Sequence, residues 1–180
     1  TTPVKDQNYS GTCWCFSTVS FLESELLKAG KGEWDLSELF VVRHNYYDRL
    51  NDNYLRRGKG NIGEGSITHM ALKQIKDHGI VPQQAYSGIN YNSELPDHLT
   101  EFTTYIGAIA KASVDVKNRS EEYFELQDAL FDIYMGKLPC TPSKIHRVHS
   151  LQKYYSPKHL KQSFYNCFIC HYLNKLSGTS

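Results

Sequence analysis

The stretch QNYSGTCWCF, residues 7–16, constrains this chain most, because it joins a glycine-containing turn to a helical pattern. Cys13 stands directly before Trp14, and Gln7 precedes the cysteine by six residues. Apolar residues then recur at helical spacing, at Phe16, Val19, Leu22 and Leu26. The pattern predicts a helix from Cys13 to Leu27 that ends before Gly30 and Gly32, with the cysteine at its N-terminus.

Apolar periodicity predicts four more helices downstream. They cover about residues 35–50, 67–79, 98–113 and 120–135. Asp35 or Ser37 caps the first of them, and Ser66 caps the second, which closes at Gly79. The glycine-rich segment 56–66 is predicted to be a loop.

Length and charge exclude several classes of protein. A chain of 180 residues suits one domain, or one domain with a small appendage. The formal net charge of +1 gives no reason to expect a nucleic-acid or acidic-membrane partner. Neither a membrane-spanning apolar run nor the apolar segment of a signal peptide is present in the sequence.

Cysteine usage indicates a reducing environment. The five cysteines are Cys13, Cys15, Cys140, Cys167 and Cys170. An odd number at irregular spacing does not favour a disulfide framework, so we expect mostly free thiols and a cytoplasmic location.

Cys13 has the surroundings of a nucleophile. A thiol reacts as its thiolate, which the unpaired N–H groups and the dipole of a helix N-terminus stabilise. Acyl transfer also needs hydrogen-bond donors aimed at the developing oxyanion, and the backbone N–H of Cys13 and the side-chain amide of Gln7 are candidates for this role.

The segment PVKDQNYSGTCWCFST resembles the active-site segment of papain-like cysteine peptidases, in which a glutamine precedes the Cys-Trp pair at this spacing. Secreted members carry a disulfide cysteine where this chain has Ser10, and the serine is similar to the bleomycin hydrolase / aminopeptidase C branch. Residues 36–40, 63–88 and 97–135 also resemble that branch, the last of them its helical insertion. The resemblance covers about residues 3–139.

The resemblance implies a mainly α fold: the helical half of a papain-like α+β cysteine peptidase, with a helical insertion. It divides the chain into a helical domain (1–96), the insertion (97–139) and a divergent tail (140–180). The implied activity is hydrolysis of peptide substrates, with aminopeptidase-like trimming and without metal or cofactor. Relatives in this branch form closed homo-oligomers, so a homo-oligomer is a further expectation.

The resemblance also assigns roles to residues. Cys13 is the expected thiolate nucleophile, and Gln7 the expected oxyanion-hole donor. Gly65 and Ser66 are expected to lie along the cleft and pair with the substrate backbone, because a small residue allows close approach. Cys15 departs from the family pattern and is predicted to be a buried helix thiol.

A catalytic histidine and its orienting asparagine are not recognisable in the family's His-Ala and Asn-Ser-Trp contexts. His146, His149 and His159 fall in the window about 130–150 residues beyond the cysteine, and Asn166 follows His149 by 17 residues. Their flanks lack the strand and glycine pattern of a barrel. Two alternatives therefore stand: a cysteine peptidase, or a truncated or degenerate homologue without turnover. The start at Thr1 also fits a processed form or a fragment.

Other candidate ligands have simpler interpretations. The CxxC at Cys167–Cys170, followed by a histidine, has no second pair at metal-site spacing and does not predict a zinc or haem site. His69 and His78 are expected to be surface or hydrogen-bonded core residues. The basic segment 56–59 is expected to be a solvated loop.

Overall fold

The structure, a computed structural model, describes residues 3–91, 94–98 and 101–139. Its helices there are α1 (Cys13–Lys28), α2 (Glu38–Leu55), α3 (Thr68–His78), α4 (Glu101–Val116) and α5 (Glu121–Met135). Two isolated β-bridges join distant segments, a parallel one between Tyr9 and Asp97 and an antiparallel one between Leu36 and Pro82. Among the described helices, none has the length and apolar character needed to cross a membrane.

Helix α2 is the centre of the architecture. Helices α1 and α3 pack against it and against each other, and α4 and α5 also pack on α2. Because neighbours surround its first half, residues 38–46 are all buried, polar ones included. The apolar core joins α2 to Trp14, Val19, Ile75, Phe102 and Phe131.

The start of α2 decides between the two predicted caps. Ser37 is the N-cap, and its Oγ accepts a hydrogen bond from the backbone N–H of Phe40 at 3.2 Å. Asp35 instead lies 2.9 Å from the Lys5 ammonium. The helix continues past the predicted end at residue 50 as far as Leu55.

The predicted cap of α3 was wrong. The helix begins at Thr68, with Ile67 in extended conformation at the N-cap position and no side-chain cap. Ser66 belongs to the preceding loop, whose carbonyls are bonded to other elements, so the chain turns into the helix only after Ile67. The predicted end at Gly79 is confirmed, and this glycine has the positive φ of 80° that favours glycine.

The two predicted downstream helices are confirmed as α4 and α5. Ser120 caps α5, and Gly136, with a φ of 76°, follows its last residue. The buried guanidinium of Arg43 on α2 bonds to Asp132 of α5 at 2.7 Å and also to the carbonyl of Gly136. One buried cation therefore holds the end of α5 against the central helix.

Candidate active site

Cys13 is the first residue of α1, and its side chain is exposed. The preceding Thr12 is buried, and its carbonyl accepts the N–H groups of Cys15 (2.8 Å) and Phe16 (3.2 Å), which closes the first helical turn. The first N–H groups of a helix have no partner within it. The thiol of Cys13 therefore reaches solvent at the positive end of a helix dipole, as the sequence predicted.

Cys15, two residues further on, has the opposite environment. It is fully buried, and its Sγ donates to the carbonyl of Glu38 at 3.4 Å. Burial raises the pKa of the Cys15 thiol well above its usual value, and the charge of Glu38 adds to the effect. The prediction of a buried helix thiol is confirmed, and only one of these two cysteines is available for chemistry at the surface.

Gln7 lies in a tight turn that leads into α1. Its Nε2 donates to the carbonyl of Ser10 at 2.8 Å, and the Ser10 hydroxyl donates back to the carbonyl of Gln7 at 2.7 Å. Asn8 between them adopts a left-handed φ of 46°. An amide nitrogen carries two hydrogens, so one remains for a further acceptor. The Gln7 amide is thereby bonded to the residue three positions before Cys13, and its part in an oxyanion hole stays a prediction.

The turn is anchored at its start by a buried ion cluster. The Lys5 ammonium contacts Glu38 at 2.8 Å and Glu23 at 2.9 Å, and donates to the carbonyl of Leu36 at 2.9 Å. Burial opposes the charge of Lys5, but the hydrogen bonds to its carboxylate partners outweigh it and raise the pKa of the ammonium. The chain two residues before Gln7 is thereby fixed to both α1 and α2.

The glycine-rich loop, residues 60–66, is bonded to residues on both sides of Cys13. The indole N–H of Trp14 donates to the carbonyl of Glu64 at 3.0 Å, and the backbone N–H of Gly11 donates to the Glu64 carboxylate. On the other side, the guanidinium of Arg49 donates to the carbonyls of Gly63 and Gly65. Each of the three consecutive carbonyls of residues 63–65 therefore accepts a hydrogen bond from a side chain.

Gly65 and Ser66 follow directly in this loop. Gly65 is exposed, and a methyl group added at its Cα would meet no atom within 4 Å. Its carbonyl is taken by Arg49, which leaves its N–H and the peptide groups of Ser66 as the groups for an incoming backbone. Their role in substrate binding is a prediction that this geometry does not test.

Two of the remaining candidates lie in the described ranges, both on α3. His69 is exposed on α3, and His78 stacks on His44 of α2 with ring centroids 4.0 Å apart. In the described ranges no group of three or more histidine, cysteine, aspartate or glutamate side chains forms a metal-binding cluster. The other predicted candidates lie outside the described residues: His146, His149, His159, Asn166 and the CxxC at Cys167–Cys170.

Sequence reasoning missed three residues of this region. Glu64 and Arg49 hold the loop. The only sequence signal for this was that Glu64 is an acidic residue between two glycines. His98 is fully buried, with Nδ1 3.4 Å from the Tyr46 hydroxyl, and burial lowers the pKa of its imidazole to about 4. His98 lies outside α4, which begins at Glu101 and not at the predicted residue 98, and no local pattern marks it as buried.

Comparison with known proteins gives this geometry a family. The model of the papain family cysteine proteases matches residues 1–137. The chain belongs to that family. Its described helices are the helical half of the papain fold, as the sequence predicted.

Individual relatives support the family assignment. Digestive cysteine proteinase 3 of Homarus americanus is 30% identical over 171 residues, which cover 94% of this chain and 47% of the relative. Digestive cysteine proteinase 1 of the same organism is 31% identical over 157 residues (86% and 42%). A cathepsin L-like peptidase of Aedes aegypti is 32% identical over 124 residues (67% and 32%). This papain-family chain thus spans about half the length, or less, of these relatives. None of the three supports the bleomycin hydrolase / aminopeptidase C branch expected from the sequence.

Proposed function

We propose that this chain carries the nucleophile of a cysteine peptidase, with Cys13 as the attacking thiolate. The observation that supports it best is the contrast within α1: Cys13 is exposed at the helix N-terminus, while Cys15 is fully buried. The family model that matches residues 1–137 supports the same chemistry.

The proposed reaction uses groups at the end of α1. The sulfur of Cys13 attacks the carbonyl carbon of the scissile peptide, and the oxygen takes up the negative charge. The backbone N–H of Cys13 and the free hydrogen of the Gln7 amide donate to that oxygen. Collapse expels the amine, which takes a proton from a general acid, and water then hydrolyses the thioester. In a cysteine peptidase a histidine supplies this proton, and His149 is the first candidate to test by substitution.

The loop supports the proposed mode of substrate binding. Arg49 and Trp14 hold the carbonyls of residues 63–65, which restrains the loop while Gly65 stays exposed. An extended peptide that pairs with fixed backbone groups loses less freedom on binding than one that must order a loop.

Turnover is tested with a fluorogenic peptide amide. The chain and its Cys13→Ala variant are assayed at neutral pH, and we expect hydrolysis by the parent and none by the variant. The same assay decides the alternative of a homologue without turnover. If Cys13 is alkylated rapidly while no product forms, the chain has the nucleophile but not the remaining machinery.

The finer specificity is a separate proposal. Resemblance to the bleomycin hydrolase branch favours trimming from a free amino terminus, whereas the relatives found are named only as cysteine proteinases or as a cathepsin L-like peptidase. Two substrates that differ only by an N-terminal acetyl group separate the possibilities. An aminopeptidase cleaves the free form alone, and equal cleavage of both contradicts trimming.

The environment of Ser10 supports a proposed reducing compartment. The Ser10 hydroxyl lies 2.6 Å from the Thr12 hydroxyl and donates to the carbonyl of Gln7, so hydrogen bonds close this turn where secreted relatives are expected to have a disulfide. We therefore expect reducing agents to leave the melting temperature unchanged.

A further inference from the structure

Glu64 is a carboxylate that the family resemblance did not assign. It is buried, with 8% of its surface exposed, although it lies in a loop between two glycines. A buried carboxylate is costly unless hydrogen-bonded. A buried carboxylate at this position therefore indicates a specific role for Glu64.

The bonds of Glu64 reach both sides of the nucleophile. Its carboxylate accepts the backbone N–H of Gly11, two residues before Cys13, and its own carbonyl accepts the indole N–H of Trp14, the residue after Cys13. A methyl group added to Gly11 would lie 2.8 Å from the Glu64 carboxylate and 2.9 Å from its Cβ, so glycine is required there. The chain on either side of the cysteine is thus attached to one residue of the loop.

Polar groups of other segments also act on the carboxyl group of Glu64. Burial raises the pKa of the Glu64 carboxyl, while the Gly11 N–H and the Tyr46 phenol oppose that shift by stabilising the charged form; the nearby Asp97 carboxylate adds to the rise. The Asp97 segment itself runs beside the turn, since Tyr9 and Asp97 form a parallel bridge and the N–H of His98 donates to the carbonyl of Tyr9 at 3.0 Å.

We infer that Glu64 is a positioning residue, which fixes the peptide-binding loop to the turn and helix end that carry Cys13. The inference rests on the proposed function and extends it: nucleophile and loop form one unit whose relative placement depends on one carboxylate. A displacement of about 1 Å between reacting groups costs as much as a hundredfold in rate, so loss of the carboxylate should be visible in reactions that need both parts.

The test compares two alkylating agents on Cys13 in the full chain. Chloroacetamide needs only the thiol, whereas a dipeptidyl chloromethyl ketone also needs the loop, and glutathione gives the intrinsic ratio of the two rates. Labelling is followed by peptide mass spectrometry at neutral pH. The measured quantity is the rate of labelling by the ketone divided by the rate of labelling by chloroacetamide. For Cys13 of the parent chain we expect this ratio to be at least about tenfold above the ratio for glutathione.

Two variants at this position and one control variant on α5 separate positioning from packing. Glu64→Ala should lower the ratio about tenfold with little change in the chloroacetamide rate. Glu64→Gln should keep the ratio within about threefold, because its amide oxygen still accepts from Gly11. Asp132→Ala, which removes a carboxylate from the Arg43 contact on α5, is the matched control and should behave as the parent.

Each outcome has a defined meaning. A parent ratio equal to that of glutathione overturns the peptide-binding role of the loop, and the positioning role with it. A high parent ratio that Glu64→Ala leaves unchanged overturns the positioning role alone. If circular dichroism finds Glu64→Ala unfolded, Glu64→Asp decides, since it keeps the charge but withdraws the carboxylate from Gly11; an unchanged ratio in that variant also overturns the inference.

Discussion

Two regions of this molecule are held to the same helix, α2, by different means. The turn-and-loop region, residues 5–12 and 60–66, is attached to α2 by polar side chains, such as Arg49, which bonds to the carbonyls of Gly63 and Gly65. The α4–α5 pair is attached by aromatic packing together with the ion pair between Arg43 and Asp132. Phe102 lies edge-on to Phe131 with ring centroids 5.8 Å apart, and edge-on to Tyr46 at 5.6 Å.

The difference indicates what each region is for. Packed rings stabilise a pair of helices but tolerate small shifts, because dispersion contacts are many and individually weak. Hydrogen bonds to named carbonyls and N–H groups fix a backbone to within a fraction of an ångström, as a reactive site requires. We therefore expect polar changes in the turn-and-loop region to alter Cys13 chemistry, and changes around α5 to alter stability alone.

The largest predicted effect separates the two thiols of α1. Cys13→Ser should abolish covalent labelling by the peptidyl ketone and leave the urea midpoint unchanged, because the side chain is exposed. Cys15→Ser should keep the labelling and lower the free energy of unfolding by about 1–3 kcal/mol, because it places a hydroxyl in the apolar core. Labelling that survives Cys13→Ser contradicts the assignment.

The ion clusters give the next comparison. Lys5→Met leaves the buried carboxylates of Glu23 and Glu38 without their cation, and should lower the free energy of unfolding by about 3–5 kcal/mol and slow ketone labelling of Cys13. Arg43→Met should cost about 1–3 kcal/mol, because its partner Asp132 is a third exposed and reaches water. Urea titration and labelling are measured on both. If Arg43→Met slows the ketone labelling of Cys13, the proposed division of the two regions is contradicted.

His98 lies where the two regions meet and predicts a pH dependence. Burial lowers the pKa of its imidazole to about 4, below the value of about 6.5 in an unfolded chain. The unfolded state then binds the proton more readily, so the stability contribution is complete above about pH 6.5 and is lost as pH falls towards 4. His98→Phe should remove up to about 3 kcal/mol of this acid sensitivity. Urea titrations at pH 7 and pH 4.5 measure it, and an unchanged pH slope contradicts the account.

Two glycines of the loop sharpen the comparison further. A methyl group at Gly60 would lie 2.5 Å from Asn53 Cα, so Gly60→Ala should destabilise by about 1–3 kcal/mol. Gly65→Ala meets no atom within 4 Å and should change stability by less than about 0.5 kcal/mol, while slowing the peptidyl ketone. If Gly65→Ala leaves ketone labelling untouched, the loop does not approach the peptide at this residue.

The sequence predicted the helices far better than the contacts that place the site. Periodicity found all five described helices, because each buries one or more apolar faces. The Cys-Trp pair carried the resemblance to papain-like peptidases, and the family is confirmed; the role of Cys13 as nucleophile stays a prediction. The sequence did not predict the roles of Glu64, Arg49 and His98, because their partners lie far along the chain and no local pattern encodes such contacts. Ser66 was misassigned as a cap for the same reason: the bonds to residues 63–65 delay the start of α3.

The most direct test of the central claim is a time course of peptidyl chloromethyl ketone labelling at pH 7, with all five cysteines followed by mass spectrometry. The account predicts that Cys13 reacts first and at least about tenfold faster than any other cysteine, and that Cys15 stays unlabelled until the protein is unfolded. Labelling of Cys15 or of a cysteine beyond residue 139 ahead of Cys13 would contradict it.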